Sequence, residues 1–69
     1  MGYLEKHGMT DMQLKAKVLV MFEDGITQTH IANIFNVSQS TVSSWIKEAK
    51  YLNEIGIIRN EVEQYKRSL

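Results

Sequence analysis

Residues 26–47 read ITQTHIANIFNVSQSTVSSWIK, and this stretch contains the start signals of two successive helices. Thr27 and Ser38 are of the residue types whose side-chain oxygens cap helix N-termini. Around each cap, two apolar residues have the spacing of a hydrophobic staple, which fixes the angle at which the chain enters a helix. The staple pairs are Ile26 with Ile31 and Val37 with Val42. We therefore predict one helix from Thr27 to about residue 35 and another that begins at Ser38.

The connection between these two helices is short, because only Asn36 and Val37 separate them. Asn is, after Gly, the residue that best tolerates a positive φ angle. Two helices that cross steeply through such a turn also require a small side chain at their closest approach. Ala32 fits that position, and we expect Val42 and Trp45 to be the buried pair of the second helix.

The rest of the chain also predicts helices, since it contains no Pro and only four Gly. Residues 10–13, TDMQ, fit a capping box at the start of a first helix, and Gly25 fits its left-handed end. Four apolar residues between them form a stripe with helical spacing: Leu14, Val18, Met21 and Phe22. The predicted fold class is therefore all-α, a small helical bundle.

Beyond residue 50 the apolar residues change spacing, recurring at alternate steps of four and three as in a coiled-coil seam. They are Tyr51, Ile55, Ile58, Val62, Tyr65 and Leu69. We expect a break before residue 60 and an amphipathic C-terminal helix whose seam, through all six residues, forms a homodimer interface. Ile58→Asp would then yield a monomer. The alternative is that the segment folds back to complete the core of its own monomer.

From length and composition we expect one domain over residues 1–69, with a helical core at 10–50 and a dimerisation segment at 51–69. The chain has no Cys and two His, so we expect no disulfide, no metal site, no cofactor and no small-molecule ligand. The eight acidic residues are scattered, and we expect no catalytic activity. The formal net charge of zero argues against a polycation that binds phosphates without specificity.

The longest apolar run, at 18–22, is far too short to span a bilayer, and the N-terminal residues have no apolar signal-peptide core. We therefore expect no membrane partner. The absence of Cys favours a cytoplasmic location.

Residues 28–47 resemble the helix-turn-helix of phage repressors, of recombinase and transposase heads and of homeodomain-like regulators. The resemblance is carried by Gln28, Ala32, Asn36, Val42 and Trp45, although Gly is commoner than Asn at the turn. It implies that the motif at 27–47 binds double-stranded DNA, with the second motif helix in the major groove.

That resemblance assigns two groups of DNA contacts. The exposed, hydrogen-bonding residues of the second motif helix are expected to contact bases: Gln39, Ser40, Thr41, Ser43, Ser44 and Lys47. Residues at the two helix starts are expected to contact phosphates: Thr27, Gln28, Thr29 and Ser38. Three lysines are possible further phosphate contacts: Lys15, Lys17 and Lys50.

The function expected from these features is that of a small homodimeric transcriptional repressor of phage or mobile-element type. One alternative is a DNA-recognition subunit of a larger machine, such as a terminase or a transposase. Another is a protein-interaction adaptor that uses the C-terminal helix.

Overall fold

A computed structural model describes residues 10–68, and within that range the chain forms four helices and no strand. The helices are α1 (Asp11–Glu23), α2 (Gln28–Phe35), α3 (Gln39–Glu54) and α4 (Arg59–Ser68). The all-α prediction is confirmed. None of the described helices is long and apolar enough to cross a membrane.

The first three helices begin at the residues that the cap signals indicated. At α1, Thr10 Oγ1 accepts a hydrogen bond from the Gln13 amide at 3.1 Å, and Gln13 Oε1 accepts one from the Thr10 amide at 3.0 Å. Thr27 Oγ1 accepts from the His30 amide at 3.2 Å, and Ser38 Oγ from the Thr41 amide at 3.3 Å. Each cap satisfies a backbone donor that the helix itself leaves unpaired.

The turn between α2 and α3 has the predicted left-handed residue, because Asn36 adopts φ 58° and ψ 48°. The Val37 amide then donates to the Ala32 carbonyl at 2.9 Å, which closes the end of α2. Gly25 ends α1 with φ 98°. The chain therefore turns from one helix into the next at both places without a longer loop.

Helix α1 is buried on two sides, between the α2–α3 pair and α4. Leu14 and Val18 belong to a first cluster, which we call the motif core. Its buried members are Leu14, Val18, Ile31, Ala32, Phe35, Val42 and Ile46. A second cluster, which we call the C-terminal core, has Ala16, Leu19, Val20, Ala49, Ile58 and Val62 as its buried members. The apolar stripe predicted for α1 contains only residues that pack in or against the motif core. The α1 residues of the C-terminal core are not part of that stripe.

In the motif core, the buried residues of α3 are Val42 and Ile46, which corrects the expectation of Val42 and Trp45. Val42 and Ile46 are one helical turn apart and face α1. Trp45 is half-buried at the edge of the motif core, where its ring meets Phe35 edge-on with centroids 6.0 Å apart. Trp45 therefore packs against α2 instead of filling the centre.

The predicted break before residue 60 is confirmed: α3 ends at Glu54, Gly56 adopts φ 88°, and α4 begins at Arg59. Because the helix is interrupted there, the seam residues lie on both sides of the break. Their regular spacing in the sequence therefore does not form a stripe along one helix. Ile58 and Val62 are 0% and 2% exposed within the C-terminal core of the same chain. Their expected role in a dimer interface is therefore wrong.

The remaining seam residues are divided between the core and the surface. Tyr65 is partly buried against the C-terminal core, whereas Tyr51 and Ile55 are 60% and 51% exposed. Leu69 lies outside the described residues. Helix α4 therefore docks on α1 of its own monomer, as in the alternative that the sequence left open.

Candidate nucleic-acid interface

The first half of α3 presents a polar surface beside the start of α2. Gln39, Ser40, Ser44 and Lys47 are exposed, and Ser43 is half-buried. Together with Gln28 they line a shallow groove with a volume of about 520 Å³, which we call the α2–α3 groove. Five of the six predicted base-contact residues are thus brought together on one face.

Thr41, the sixth, does not line this groove. It is half-buried, and its Oγ1 lies 2.9 Å from Ser38 Oγ, which also lies 3.1 Å from Ser40 Oγ. Ser38 and Thr41 therefore use their hydroxyl groups in the cap of α3. Together with the Ser40 hydroxyl, they form a hydrogen-bonded network in the first turn of α3.

The predicted phosphate contacts lie at two helix starts, but they do not all face the same way. Thr27 and Thr29 are exposed at the start of α2, and Ser38 is exposed at the start of α3. Gln28 is half-buried and lines the groove beside the expected base contacts. The backbone amides of both helix starts carry the positive end of the helix dipole, which favours phosphate groups.

The positive charge of the groove comes from Lys47. Of the three other lysines considered for phosphate binding, Lys17 is exposed, and Lys50 lies over the Phe22 ring at 5.4 Å from its centroid. Lys15 is buried and paired with carboxylates, so its expected availability for a phosphate is contradicted. The groove is therefore rich in hydrogen-bonding groups and poor in charge.

Sequence reasoning also missed the position of Gln28. It lies one residue after the Thr27 cap, a place that normally indicates a helix start, and in the structure it lines the groove together with residues of α3. Within residues 10–68, no group of three or more His, Cys, Asp or Glu side chains is placed to hold a metal ion.

A family model described as a homeodomain-like domain matches residues 9–51, which is more than half of the chain. No curated protein and no solved structure matches the chain significantly. The matched residues include α1, α2, the left-handed turn at Asn36 and most of α3, which are the elements that build the groove. This helix-turn-helix arrangement points to DNA binding, and the chain belongs to the homeodomain-like family.

Proposed function

We propose that the protein binds double-stranded DNA in a sequence-specific manner and acts as a homodimeric transcriptional repressor by occupying a promoter. The observation that carries the proposal is the α2–α3 groove, where short hydrogen-bonding side chains are gathered on the exposed face of α3. An α-helix fits the major groove of B-form DNA, whose base edges present a distinct hydrogen-bonding pattern for each base pair.

The residue types of the groove match base edges. Gln39 suits the paired donor and acceptor of adenine, and Lys47 suits the acceptors of guanine or a phosphate. Ser40, Ser43 and Ser44 have short side chains, which let α3 approach the bases closely. Such a surface favours discrimination over strong electrostatic attraction, because a single lysine neutralises few phosphates.

The first test is selection of binding sites from a random duplex library by the purified protein near physiological salt. We expect enrichment of one motif, and we expect Gln39→Ala to weaken binding to that motif by roughly tenfold or more, since a paired base contact contributes about 1–3 kcal/mol. Ser43→Ala should have a smaller effect. Both variants should keep the circular dichroism spectrum of the wild type. Equal binding of all three proteins to selected and random duplexes would count against base reading by α3.

A dimer interface that includes Tyr51 and Ile55 is the second part of the proposal. Both side chains are more than half exposed, and Ile57 in the α3–α4 connection adds another apolar side chain that is 52% exposed. Helix-turn-helix proteins commonly bind as two-fold dimers to half-sites one DNA turn apart. A selected motif with two-fold symmetry and half-sites about 10 base pairs apart would support this arrangement.

For the dimer, we expect Ile55→Asp to shift the protein from dimer to monomer in sedimentation velocity, because the carboxylate would lose solvation in an apolar contact. Ile34→Asp is the matched control: Ile34 is also about half exposed, but it lies on α2. It should leave the oligomeric state unchanged. A dimer that survives Ile55→Asp would exclude this surface.

The exposed apolar residues at the end of α3 also favour a second candidate, a DNA-recognition subunit of a larger machine such as a terminase or a transposase. Their apolar surface would then contact another protein chain. This candidate predicts a monomeric wild-type protein in sedimentation velocity that still selects a DNA sequence. The selected motif would be a single half-site without two-fold symmetry.

A further inference from the structure

Lys15 is the one buried charged residue in the part of the chain that the structure describes, with 4% of its surface exposed. Its ammonium group contacts two carboxylates. Nζ lies 3.2 Å from Asp11 Oδ1, one turn earlier on α1, and 3.0 Å from Glu48 Oε1 on α3. The second contact links the central helix of the bundle to the helix that carries the groove.

The ion pairs of Lys15 contribute little net stability. The Asp11 and Glu48 side chains are 60% and 54% exposed, so water competes for both carboxylates. Burial of the lysine meanwhile requires its ammonium group to lose most of its water. An unbranched apolar side chain of similar length often replaces a buried charge with no loss of stability, or with a gain.

Most of the other contacts between α1 and α3 are apolar, besides the Lys50 ammonium group of α3 that lies over the Phe22 ring of α1. On α3 they involve Val42 and Ile46 in the motif core and Ala49 in the C-terminal core. Apolar burial is not directional, so these residues restrain the rotation of α3 about its axis less specifically than an ion pair does. The Lys15–Glu48 ion pair is directional, and Glu48 follows Lys47 directly and lies one turn after Ser44. The ion pair therefore limits rotation of the part of α3 that lines the groove.

We propose that Lys15 is a positioning residue that sets the rotation of α3 through Glu48 and thereby aims Ser44 and Lys47 at the DNA. The effect of Lys15 on the discrimination between DNA sequences rests on the proposed function. The orientation of α3 is a property of the free protein and is measurable without DNA. A simpler role, in which Lys15 only neutralises the Glu48 charge near the phosphates, makes different predictions.

The experiment compares three variants with the wild type. Lys15→Met removes the ammonium group and keeps an unbranched side chain, and Glu48→Ala removes the acceptor from α3. Glu48→Gln is the matched control, because it removes the charge but keeps an oxygen that accepts from Lys15. Two quantities are measured: the orientation of α3 relative to α1, from residual dipolar couplings of the free protein, and the ratio of affinities for the selected and random duplexes.

We expect Lys15→Met and Glu48→Ala to melt at or near the wild-type Tm, to change the α3 orientation, and to lower the affinity ratio by about tenfold, a change of about 1.4 kcal/mol. Glu48→Gln should keep the wild-type orientation and ratio. If Glu48→Gln and Glu48→Ala instead change the affinity ratio equally and α3 keeps its wild-type orientation in both, Lys15 only neutralises charge. The positioning proposal is then overturned.

Two other outcomes are also decisive. If the wild type selects no sequence, the proposed function fails, while the orientations of α3 in the variants still support or overturn the role of Lys15. If Lys15→Met does not fold, Glu48→Ala decides, since Glu48 is more than half exposed and its truncation leaves the two cores intact. A wild-type orientation in Glu48→Ala would overturn the proposal.

Discussion

Ile58→Asp is expected to unfold the protein, although the sequence pattern alone predicts a folded monomer for this variant. The Ile58 side chain is 0% exposed and packs in the C-terminal core with residues of α1, α3 and α4. The substitution removes a buried apolar side chain and places a carboxylate where water cannot reach it. We expect the free energy of unfolding to fall by about 4–5 kcal/mol or more. For a domain of this size, a loss of that magnitude is comparable to the total stability.

Urea unfolding followed by circular dichroism measures this effect. Ile34→Asp is the matched control, since Ile34 is the same residue type, is 46% exposed and lies outside the proposed dimer surface. It should change the urea midpoint little. If Ile58→Asp kept the wild-type midpoint, the docking of α4 on α1 would be refuted.

Ser44→Glu is expected to abolish DNA binding without affecting the fold. Ser44 is exposed on α3 and lines the α2–α3 groove next to Lys47. A carboxylate at this position would face the phosphates and the acceptor-rich base edges of the DNA. Juxtaposed like charges in an interface cost several kcal/mol. We expect affinity for the selected duplex to fall by at least about a hundredfold, which corresponds to about 2.8 kcal/mol.

The matched control is Asn60→Glu, which adds the same charge at an exposed position near the start of α4. It should reduce affinity only slightly, because the added charge lies outside the groove and is screened by salt. Fluorescence anisotropy with a labelled duplex measures both variants, and their urea midpoints should match that of the wild type. Equal losses of affinity in the two variants would mean that net charge, and not the face of α3, controls binding.

The features that were predictable from the sequence depend on residues close together in the chain. Thr10 with Gln13, Thr27 with His30, and the turn at Asn36 involve neighbours within one helical turn. Their geometry follows from local hydrogen bonding and from the φ angles that each residue tolerates. The exposed polar face of α3 was predictable for the same reason, because helical periodicity places Gln39, Ser40, Ser43, Ser44 and Lys47 on one side.

The positions that sequence reasoning misplaced depend on packing between helices. Lysine is a residue type that usually lies on the surface. Lys15 is buried and paired because α1 packs against α3, which places Glu48 next to its ammonium group. Trp45 lies at the edge of the motif core, because the crossing of α2 and α3 brings Phe35 against its ring. Gln28 lines the groove together with residues of α3.

The C-terminal segment shows most directly what local sequence does not determine. Its alternating spacing fits a helix that contacts a second chain and equally fits one that docks on its own monomer, because both bury the same apolar face. Local sequence was enough to establish the helix-turn-helix, the three caps and the break near Gly56. Ile58 and Val62 are covered by their own chain because α1 has a second apolar face on which they pack. The contacts that bury them come from α1 and α3, far away in the sequence.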